Sequence, residues 1–485
     1  MKNLTRRSFL KSSLLTTAAF SVPTRLWSQV PGANSDIRVA VVGFGDRGNS
    51  NIDEFSKMKG VRLVALCDAD KNILANGAKR LDAKGIKVET YTDIRKLLEN
   101  KDVDVISTAT QNHWHSLIVV WSCQAGKDVY VEKPISHNVF EGRKAVEAAR
   151  KYNRIVQAGT QSRSSASLRE ALDWVRAGNL GQIKVARGLC YKRRASIGKV
   201  DGPQPIPDNI DYDLWCGPAL KLPLMRKKLH YDWHWVWNTG CGDIGNQGIH
   251  QMDIARWALG KNELSPRIVS VGGRLGYVDD GETPNTQFVI HDYGDALLIF
   301  EVRGLPSGIQ APDGGKKGKE AMDIYRGQSV GDIIECENGY LSDITAYDND
   351  GKEIKKFNGK GEGNHFENFI KAVRSRKKED LNADILEGHL SSALCHTGNI
   401  SHRIGQQASP GEIRDAIKAN PAALETLGRF EEHLARNQVD LKLDKATMGA
   451  FLQMDHKTEK FIGNAQADAL LTRNYRAPYL VPEKV

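Results

Sequence analysis

The sequence lacks an apolar run close to the roughly 18 to 20 residues that a membrane-spanning helix needs, which argues against an integral membrane protein. It also lacks internal repeats and long low-complexity segments, which excludes repeat, collagen-like and wholly disordered proteins. Its seven cysteines are an odd number without a CxxC pair, a poor basis for a disulfide framework or a zinc site. At 485 residues, 26% of them charged, the chain is globular in composition and long enough for two domains with extensions.

Positive charge is modest once the N-terminal residues are set aside. The net charge is +9, but residues 1–28 carry five Lys and Arg side chains and no Asp or Glu, so the remainder carries +4. Three short basic runs, 192–194, 226–228 and 374–378, are interpreted as solvated faces rather than phosphate sites. We therefore expect no nucleic-acid partner.

Residues 1–30 resemble a twin-arginine export signal. Thr5 to Lys11 reads TRRSFLK, and a modest apolar stretch follows over residues 14–22. No cysteine precedes Cys67, so a lipid anchor at a processed N-terminus is not expected. The resemblance implies a periplasmic protein, carried by the twin-arginine export machinery and without a stable membrane anchor. That route carries folded proteins, often with a cofactor. The alternative is an ordinary N-terminal helix with two adjacent arginines.

Residues 36–160 alternate apolar strand-like runs with helical patterns, which is typical of an α/β domain with a doubly wound parallel sheet. The predicted strands cover residues 37–42, 61–67, 103–109, 128–131 and 155–159, and the predicted helices cover 94–99, 116–125 and 140–152.

Residues 161–404 follow a different pattern, in which strands are joined by short polar turns. That pattern predicts an α+β domain with an antiparallel sheet. The predicted strands cover 183–191, 267–271, 286–291, 296–303, 332–336 and 344–347, and the helices 167–177, 365–375 and 383–403. Residues 405–485 form a more polar C-terminal extension with one clear helix, 421–436.

A GxGxxG turn, Gly43 to Gly48, directly follows the first predicted strand. In such a turn the first glycine permits a tight bend, the second lets the backbone approach a pyrophosphate, and the third allows close helix packing. The second strand ends at Asp68, whose carboxylate can accept hydrogen bonds from ribose hydroxyls and would repel a 2′-phosphate, so NAD is favoured over NADP. The cofactor-binding residues predicted from this pattern are Gly43, Phe44, Gly45, Arg47, Gly48 and Asp68.

Glu132-Lys133-Pro134 follows the strand 128–131. A lysine at the carboxyl end of a central parallel strand lies where open α/β sheets bind ligands. Near a cationic nicotinamide its charged form is disfavoured, so we expect a lowered pKa and an available proton or hydrogen bond.

These motifs, together with Thr110-Gln111-Asn112-His113-Trp114-His115, resemble the Gfo/Idh/MocA oxidoreductases, and the resemblance reaches to about residue 404. Gln111 replaces the proline usual in that segment. The resemblance implies a Rossmann domain over 36–160, a second domain over 161–404 with an open-faced antiparallel sheet, a nicotinamide cofactor and a sugar or cyclitol substrate. It also implies cofactor contacts by Thr110, Asn112, His115, Glu132 and Lys133. A homo-oligomer that assembles through the second domain is expected.

The resemblance further implies that Lys133 and His250 are catalytic, with His250 taking the hydroxyl proton as hydride leaves the same carbon. In the family an aspartate precedes this histidine by four positions, and here Asn246 stands at that place. Asp243 is the alternative carboxylate. Without a tuning carboxylate, His250 should have an ordinary pKa of about 6.5.

We predict substrate contacts by Arg163, His234, Trp237, Asp243 and Asn246. For His234 and the neighbouring tryptophans, stacking on sugar and plain core packing remain equally open. The spacing of His230, His234 and His250 offers a zinc site as an alternative, because residues i and i+4 share one face of a helix. The surrounding residues resemble a loop more than a helix, so no metal is predicted.

The function predicted from these features is an exported oxidoreductase that transfers hydride between a sugar, glycoside or cyclitol hydroxyl and NAD. Because free NAD is scarce outside the cytoplasm, the cofactor is expected to be bound tightly and recycled in place. One alternative is a glycoside hydrolase that uses bound NAD transiently, by oxidation and elimination. Another is a sugar-binding protein that has lost turnover, which Asn246 alone supports.

Overall fold

The computed structural model describes residues 36–308, 321–361 and 363–485. The predicted export signal, residues 1–30, lies outside the described residues. The first domain has a parallel sheet with strand order β3-β2-β1-β4-β5-β6. The order reverses direction between β1 and β4, and such a switch point is where open α/β sheets bind ligands.

The strands of this sheet are β1 (Ile37–Val42), β2 (Val61–Cys67), β3 (Glu89–Tyr91), β4 (Val105–Thr108), β5 (Asp128–Val131) and β6 (Val156–Ala158). Its helices are α1 (Arg47–Ser56), α2 (Lys71–Asp82), α3 (Ile94–Glu99), α4 (Asn112–Gln124) and α5 (Val139–Lys151). The apolar runs read from the sequence become these strands because both faces of the sheet are covered by helices, so most strand residues are buried.

Helix α4 begins at Asn112, four residues before the predicted start. The sequence pattern places the start of α4 too late because His113 and His115 interrupt the apolar periodicity. Both histidines are buried, and their ring nitrogens lie within hydrogen-bond distance of backbone carbonyl oxygens instead of water.

The second domain is built on a sheet of twelve strands among the described residues, with β14-β13-β12-β11-β7-β10-β9-β8-β16-β15 as its main path. The predicted antiparallel sheet is mixed, because β7 and β10 pair in parallel while the other neighbours are antiparallel. Its strands are β7 (Ile183–Tyr191), β8 (Arg267–Gly273), β9 (Thr286–Asp292), β10 (Leu297–Arg303), β11 (Val330–Cys336), β12 (Gly339–Ser342), β13 (Thr345–Tyr347) and β14 (Glu353–Lys356).

Both faces of this sheet are covered, which departs from the open-faced sheet that the family resemblance implied. The helices of this domain are α6 (Ala166–Arg176), α7 (Tyr212–Cys216), α8 (Gly242–Asn246), α9 (Gly248–Ala258), α10 (His365–Ser375) and α11 (Ile385–Arg403). Apolar residues of α9 and α11 pack with β7 to β10 on one face. The opposite face is covered by the C-terminal extension.

The extension, residues 405–485, contains more structure than the single predicted helix. Its elements are β15 (Gln406–Gln407), α12 (Pro410–Ile417), α13 (Pro421–Arg436), β16 (Thr447–Met448), β17 (Leu452–Asp455), β18 (Lys460–Phe461) and α14 (Ala465–Ala469). Leu427, Phe430 and Leu434 of α13 recur at helical spacing and pack against the sheet, with Phe430 edge-on to Phe288 at 5.6 Å. The short strands β16 and β17 pair with β8.

After α14 the chain returns to the first domain. The Tyr479 ring lies 5.4 Å from Trp114 of α4, and its hydroxyl donates to Asp213 at 3.1 Å. Arg476 donates to the same carboxylate at 2.7 Å. The extension therefore joins the outer face of the second sheet to the helix that borders the switch point of the first.

Two further observations concern the described residues. None of their helices is long and apolar enough to cross a bilayer. All seven cysteines lie in the described ranges and are free thiols.

Candidate active site

The glycine turn after β1 has room for glycine only. Gly43 has φ +71°, and a Cβ there would lie 2.8 Å from the Thr110 Cα, which follows β4. A Cβ on Gly48 would lie 2.2 Å from the Gly43 carbonyl oxygen. The N-terminus of α1 is thereby held close to the turn, so its unpaired N–H groups are available to phosphate oxygens.

Asp68, directly after β2, is hydrogen-bonded to the backbone of this turn. Its carboxylate accepts hydrogen bonds from the backbone N–H groups of Phe44 at 3.1 Å and Asp70 at 3.0 Å. Burial raises its pKa, and the two amide donors oppose that rise. The Phe44 side chain is buried in the core, so its place in the predicted binding turn is that of a structural residue.

The segment after β4 is tied to the segment after β5 by a buried histidine. His115 has its two ring nitrogens 2.6 Å from the Pro134 carbonyl oxygen and 3.0 Å from that of Thr110. Burial lowers its pKa to about 4, so the imidazole is neutral. His115 thus fixes the positions of Thr110 and the Lys133-Pro134 peptide relative to each other.

Glu132 and Lys133 sit at the end of β5, inside the site. Glu132 is buried and accepts from Arg47 Nε at 3.0 Å. Lys133 Nζ donates to the carbonyl oxygen of Asn246, at the end of α8, at 2.7 Å. Burial lowers the pKa of Lys133, and the charges of Arg47 and Lys192 add to this effect while Glu132 opposes it.

His250 lies in the first turn of α9, just beyond Asn246. Burial lowers its pKa to about 3, and the neighbouring Lys133 charge lowers it further. The structure therefore differs from the sequence expectation of an ordinary value near 6.5. The carboxylate whose charge opposes this shift belongs to Asp253, while Asp243 is held in a buried ion pair with Arg194 at 2.6 Å.

A cavity of about 610 Å³ opens between the glycine turn and the second domain, a volume within the usual range for small-molecule sites. It lies at the switch point between β1 and β4. The predicted site residues that line it are Gly43, Gly45, Arg47, Asp68, Thr110, Asn112, His115, Glu132, Lys133, His234 and Asn246.

Other predicted site residues do not line this cavity. Arg163 is buried in an ion pair with Asp253 at 2.7 Å, and Trp237 packs under the guanidinium of Arg403. Neither geometry supports the predicted substrate contact. Phe44, Gly48, Asp243 and His250 are not among the lining residues either.

The segment 230–237 is a loop with a short 3₁₀ turn, Asp232–Trp235. His230 Nε2 lies 3.1 Å from the Asp70 carboxylate across the domain boundary, whereas His234 stacks on Trp233 at 3.6 Å and lines the cavity. The two histidines therefore share no helical face, as the zinc alternative would have required. Burial lowers the pKa of His234 to about 3.

Several cavity residues were not assigned to the site from the sequence. Tyr231 has φ +67° and accepts a hydrogen bond from Arg194 at 2.7 Å. Lys192 donates to Gln247 at 2.9 Å, and Trp215 lies opposite the glycine turn. The sequence carries one signal for them, because Lys192 and Arg194 directly follow the strand β7. The interpretation of the run 192–194 as a solvated face is therefore wrong for these two residues, which line the cavity.

The residues present fit a dinucleotide. At Gly43 and Gly48 the turn has room only for residues without a Cβ, as the tight bend and the close helix packing of a dinucleotide-binding turn require. Two buried polar atoms, Asn112 Oδ1 and Glu132 Oε2, have no hydrogen-bond partner among the described residues, although both side chains line the cavity. Such atoms indicate that a ligand completes the site.

Comparisons with known proteins agree with this geometry. A family model for the NAD-binding Rossmann fold of an oxidoreductase family matches residues 37–160, and the model for the C-terminal alpha/beta domain of that family matches residues 175–300. The chain is similar to glycosyl hydrolase family 109 protein 2 of Shewanella sp. strain ANA-3, with 31% identity over 163 residues, 29% of this chain and 36% of that protein. It is also similar to inositol 2-dehydrogenase of Salmonella typhimurium, with 26% identity over 181 residues, 37% of this chain and 52% of that enzyme. The matches thus span about a third to a half of these relatives.

Solved structures share the fold over most of the chain. The WlbA dehydrogenase of Bordetella pertussis, in complex with NADH and UDP-GlcNAcA, aligns with a TM-score of 0.54 and 17% identity, covering 74% of this chain and 94% of that chain. The myo-inositol 2-dehydrogenase of Lactobacillus plantarum aligns with a TM-score of 0.52 and 17% identity, covering 76% and 98%.

Proposed function

The chain belongs to the Gfo/Idh/MocA oxidoreductase family, and on that premise we propose that it transfers hydride between a hydroxyl-bearing carbon of a sugar, glycoside or cyclitol and tightly bound NAD. The observation that carries the proposal is the position of Lys133. Its buried ammonium, held by Asn246 at 2.7 Å, faces the same cavity as the glycine turn and Asp68.

When bound, NAD supplies the acceptor for the hydride that leaves the substrate carbon. Lys133 uses one N–H on Asn246, so two more can donate to the substrate oxygen. Such a donor stabilises the negative charge that grows on the oxygen when its proton is removed.

His250 is the group proposed to take that proton. With a pKa of about 3 it is neutral at working pH, and its ring has no hydrogen-bond partner among the described residues. A neutral imidazole nitrogen can accept the hydroxyl proton. Because Asp243 is engaged by Arg194, we assign it the role of holding Arg194 rather than that of tuning His250.

The test is turnover of the bound cofactor by site variants. Lys133→Met and His250→Ala should each reduce the rate of NAD reduction by a glycoside by about 10² to 10⁴. Both variants should keep the cofactor, measured by its release on denaturation, since neither side chain builds the glycine turn. The pH–rate profile should lack a break near 6.5. Normal turnover by His250→Ala would overturn its assignment and direct attention to Tyr231.

A second candidate function is glycoside hydrolysis through transient oxidation and elimination. It is favoured by the similarity to the Shewanella glycosyl hydrolase family 109 protein and to an alpha-N-acetylgalactosaminidase of Shewanella oneidensis, 27% identical over 172 residues. Incubation of the purified protein with aryl glycosides separates the two functions. A keto-sugar with the aglycone retained supports the oxidoreductase, and a released aglycone without net NAD reduction supports the hydrolase.

We also propose export to the periplasm by the twin-arginine route, supported by the TRRSFLK sequence of residues 5–11. Replacing Arg6 and Arg7 with lysine should leave the protein in the cytoplasm at its unprocessed mass, as judged by cell fractionation. Normal export of this double variant would contradict the proposal.

Tight cofactor binding and homo-oligomerisation complete the proposal. Native mass spectrometry of the purified protein should show NAD retained through purification, and it gives the number of chains in the same measurement. A monomer would contradict the expected oligomer, and loss of NAD on desalting would contradict tight binding.

A further inference from the structure

A second cavity, of about 430 Å³, adjoins the first on the side of the second domain. It is lined by parts of three segments: residues 193–198, 227–228 and 231–235. Arg194 and Tyr231 line both cavities, so the two cavities share this pair as a common border.

The folded chain brings together residues of two basic runs, 192–194 and 226–228, for which the sequence favours solvated faces. Arg193, Arg194, Lys227 and Lys228 line the second cavity, and Asp232 is the acidic residue among its lining residues. Arg194 is already neutralised by Asp243. Burial raises the pKa of Asp232, and the charges of Lys228 and Arg226 oppose that rise, so one carboxylate faces several cations in this cavity.

Lys227 and Lys228 carry the excess charge of the second cavity. Both side chains are exposed, and no carboxylate of the described residues lies within ion-pair distance of either ammonium. Cations gathered in one cavity repel one another and focus a positive potential there. An anion bound between them would relieve this repulsion, whereas a neutral ligand would not.

We propose that the second cavity is a subsite for an anionic group of the substrate, which makes the substrate class acidic saccharides that bear a carboxylate, sulfate or phosphate. The inference rests on the proposed function, because the reacting hydroxyl must sit beside Lys133 in the first cavity. The ring of Tyr231, which is 45% exposed, is suited to the C–H surface of the sugar that carries the anion.

The experiment compares matched glycosides on the cofactor-loaded protein. Methyl glucosides and galactosides are paired with the corresponding methyl uronides and 6-sulfates, and both binding and keto-sugar formation are measured at low and high salt. The acidic member of a pair should be preferred, and the preference should weaken with salt because exposed charges are screened. The uronide and sulfate arms distinguish carboxylate from sulfate recognition.

The double variant Lys227→Gln/Lys228→Gln tests the subsite itself. The ratio of acidic to neutral affinity should fall by about 2-fold to 30-fold, the range for two exposed ion pairs. Lys199→Gln is the matched control, since Lys199 is exposed on a neighbouring segment but does not line the cavity, and it should keep the ratio of the unmutated protein.

Each outcome decides the inference. Equal affinity for neutral and acidic partners, or a preference that survives in the double variant, overturns it. Salt-sensitive binding of acidic glycosides without any keto-sugar supports the subsite while contradicting the proposed function. Failure of all the glycosides to bind overturns both.

Discussion

Replacing Gly48 with alanine should weaken NAD binding while leaving the fold intact. Gly48 lies in α1, and the added Cβ would be 2.2 Å from the Gly43 carbonyl oxygen and 2.8 Å from the Phe44 Cβ. Ordinary contact begins at 3.4 Å, so the turn and the helix must separate by about 1.2 Å. The donor–acceptor distance of an N–H···O hydrogen bond spans only about 0.5 Å, so a backbone N–H moved this far loses its phosphate oxygen.

The loss of NAD affinity can be estimated from the energy of one such hydrogen bond. A hydrogen bond to a charged group is worth about 1.5 to 3 kcal/mol, so losing one weakens NAD binding by about 10-fold to 150-fold. The measurement is NAD affinity by fluorescence titration, together with the cofactor content of the purified variant.

The matched control is Gly428→Ala. Gly428 also lies in a helix, α13, but nothing lies within 4 Å of a Cβ built there. This variant should keep NAD and gain up to about 1 kcal/mol of stability from helix propensity. NAD affinity within a factor of two of the unmutated value in Gly48→Ala would refute the steric argument for the turn.

Three further predictions follow from the same structure. Asp68→Ala leaves the backbone amides of Phe44 and Asp70 without their acceptor and removes a negative charge. NAD should therefore bind more weakly, and its advantage in affinity over NADP should shrink. Equal affinity for both cofactors in the unmutated protein would contradict this role of Asp68. Burial lowers the pKa of five histidines to about 3: His113, His234, His250, His291 and His396. Below about pH 6.5 the unfolded chain therefore binds more protons than the folded chain. The free energy of unfolding should fall with pH, by up to about 1.4 kcal/mol per pH unit for each histidine. Burial raises the pKa of Glu141 to about 7, so its protonation on folding offsets the effect of one of these five histidines. Urea unfolding at pH 7 and pH 5.5 measures the net change in the free energy of unfolding, and an unchanged value would contradict the prediction. Tyr479→Ala should lower the free energy of unfolding by about 3 to 5 kcal/mol because the ring is buried, whereas Leu480→Ala, 50% exposed, should change little; similar effects of the two would show that the contact with Trp114 contributes nothing.

Most elements of the first domain could be predicted from the sequence, although the short strand β3 and the helix α2 were not. Strands β1, β2 and β5 and helix α3 begin and end where the apolar runs and their polar or glycine boundaries placed them. A parallel sheet covered by helices buries both faces of its strands, so each strand is a continuous apolar run in the sequence. The glycine turn and Asp68 could be located for the same reason, since both directly follow such runs.

The second domain was predicted less completely because its pairing is long-range. Strand β7 pairs in parallel with β10, and helix α13 covers one face of the sheet. Both contacts join segments more than a hundred residues apart, so local sequence patterns do not predict them. The basic runs 192–194 and 226–228 also come together only in the folded chain. The neutral state of His250 depends on its burial, which becomes visible only in the assembled site.

The return of the C-terminal extension to the first domain has a consequence for how the chain folds during synthesis. The buried partners of Trp114 include Tyr479, and the extension also supplies strands beside β8. A ribosome releases the chain from its N-terminus, so α4 remains without this cover until more than three hundred further residues have been made. Neither domain can reach its final packing while translation is under way, and contacts of such sequence separation slow folding. The apolar surface of α4 that packs against Tyr479 is therefore among the last to be covered.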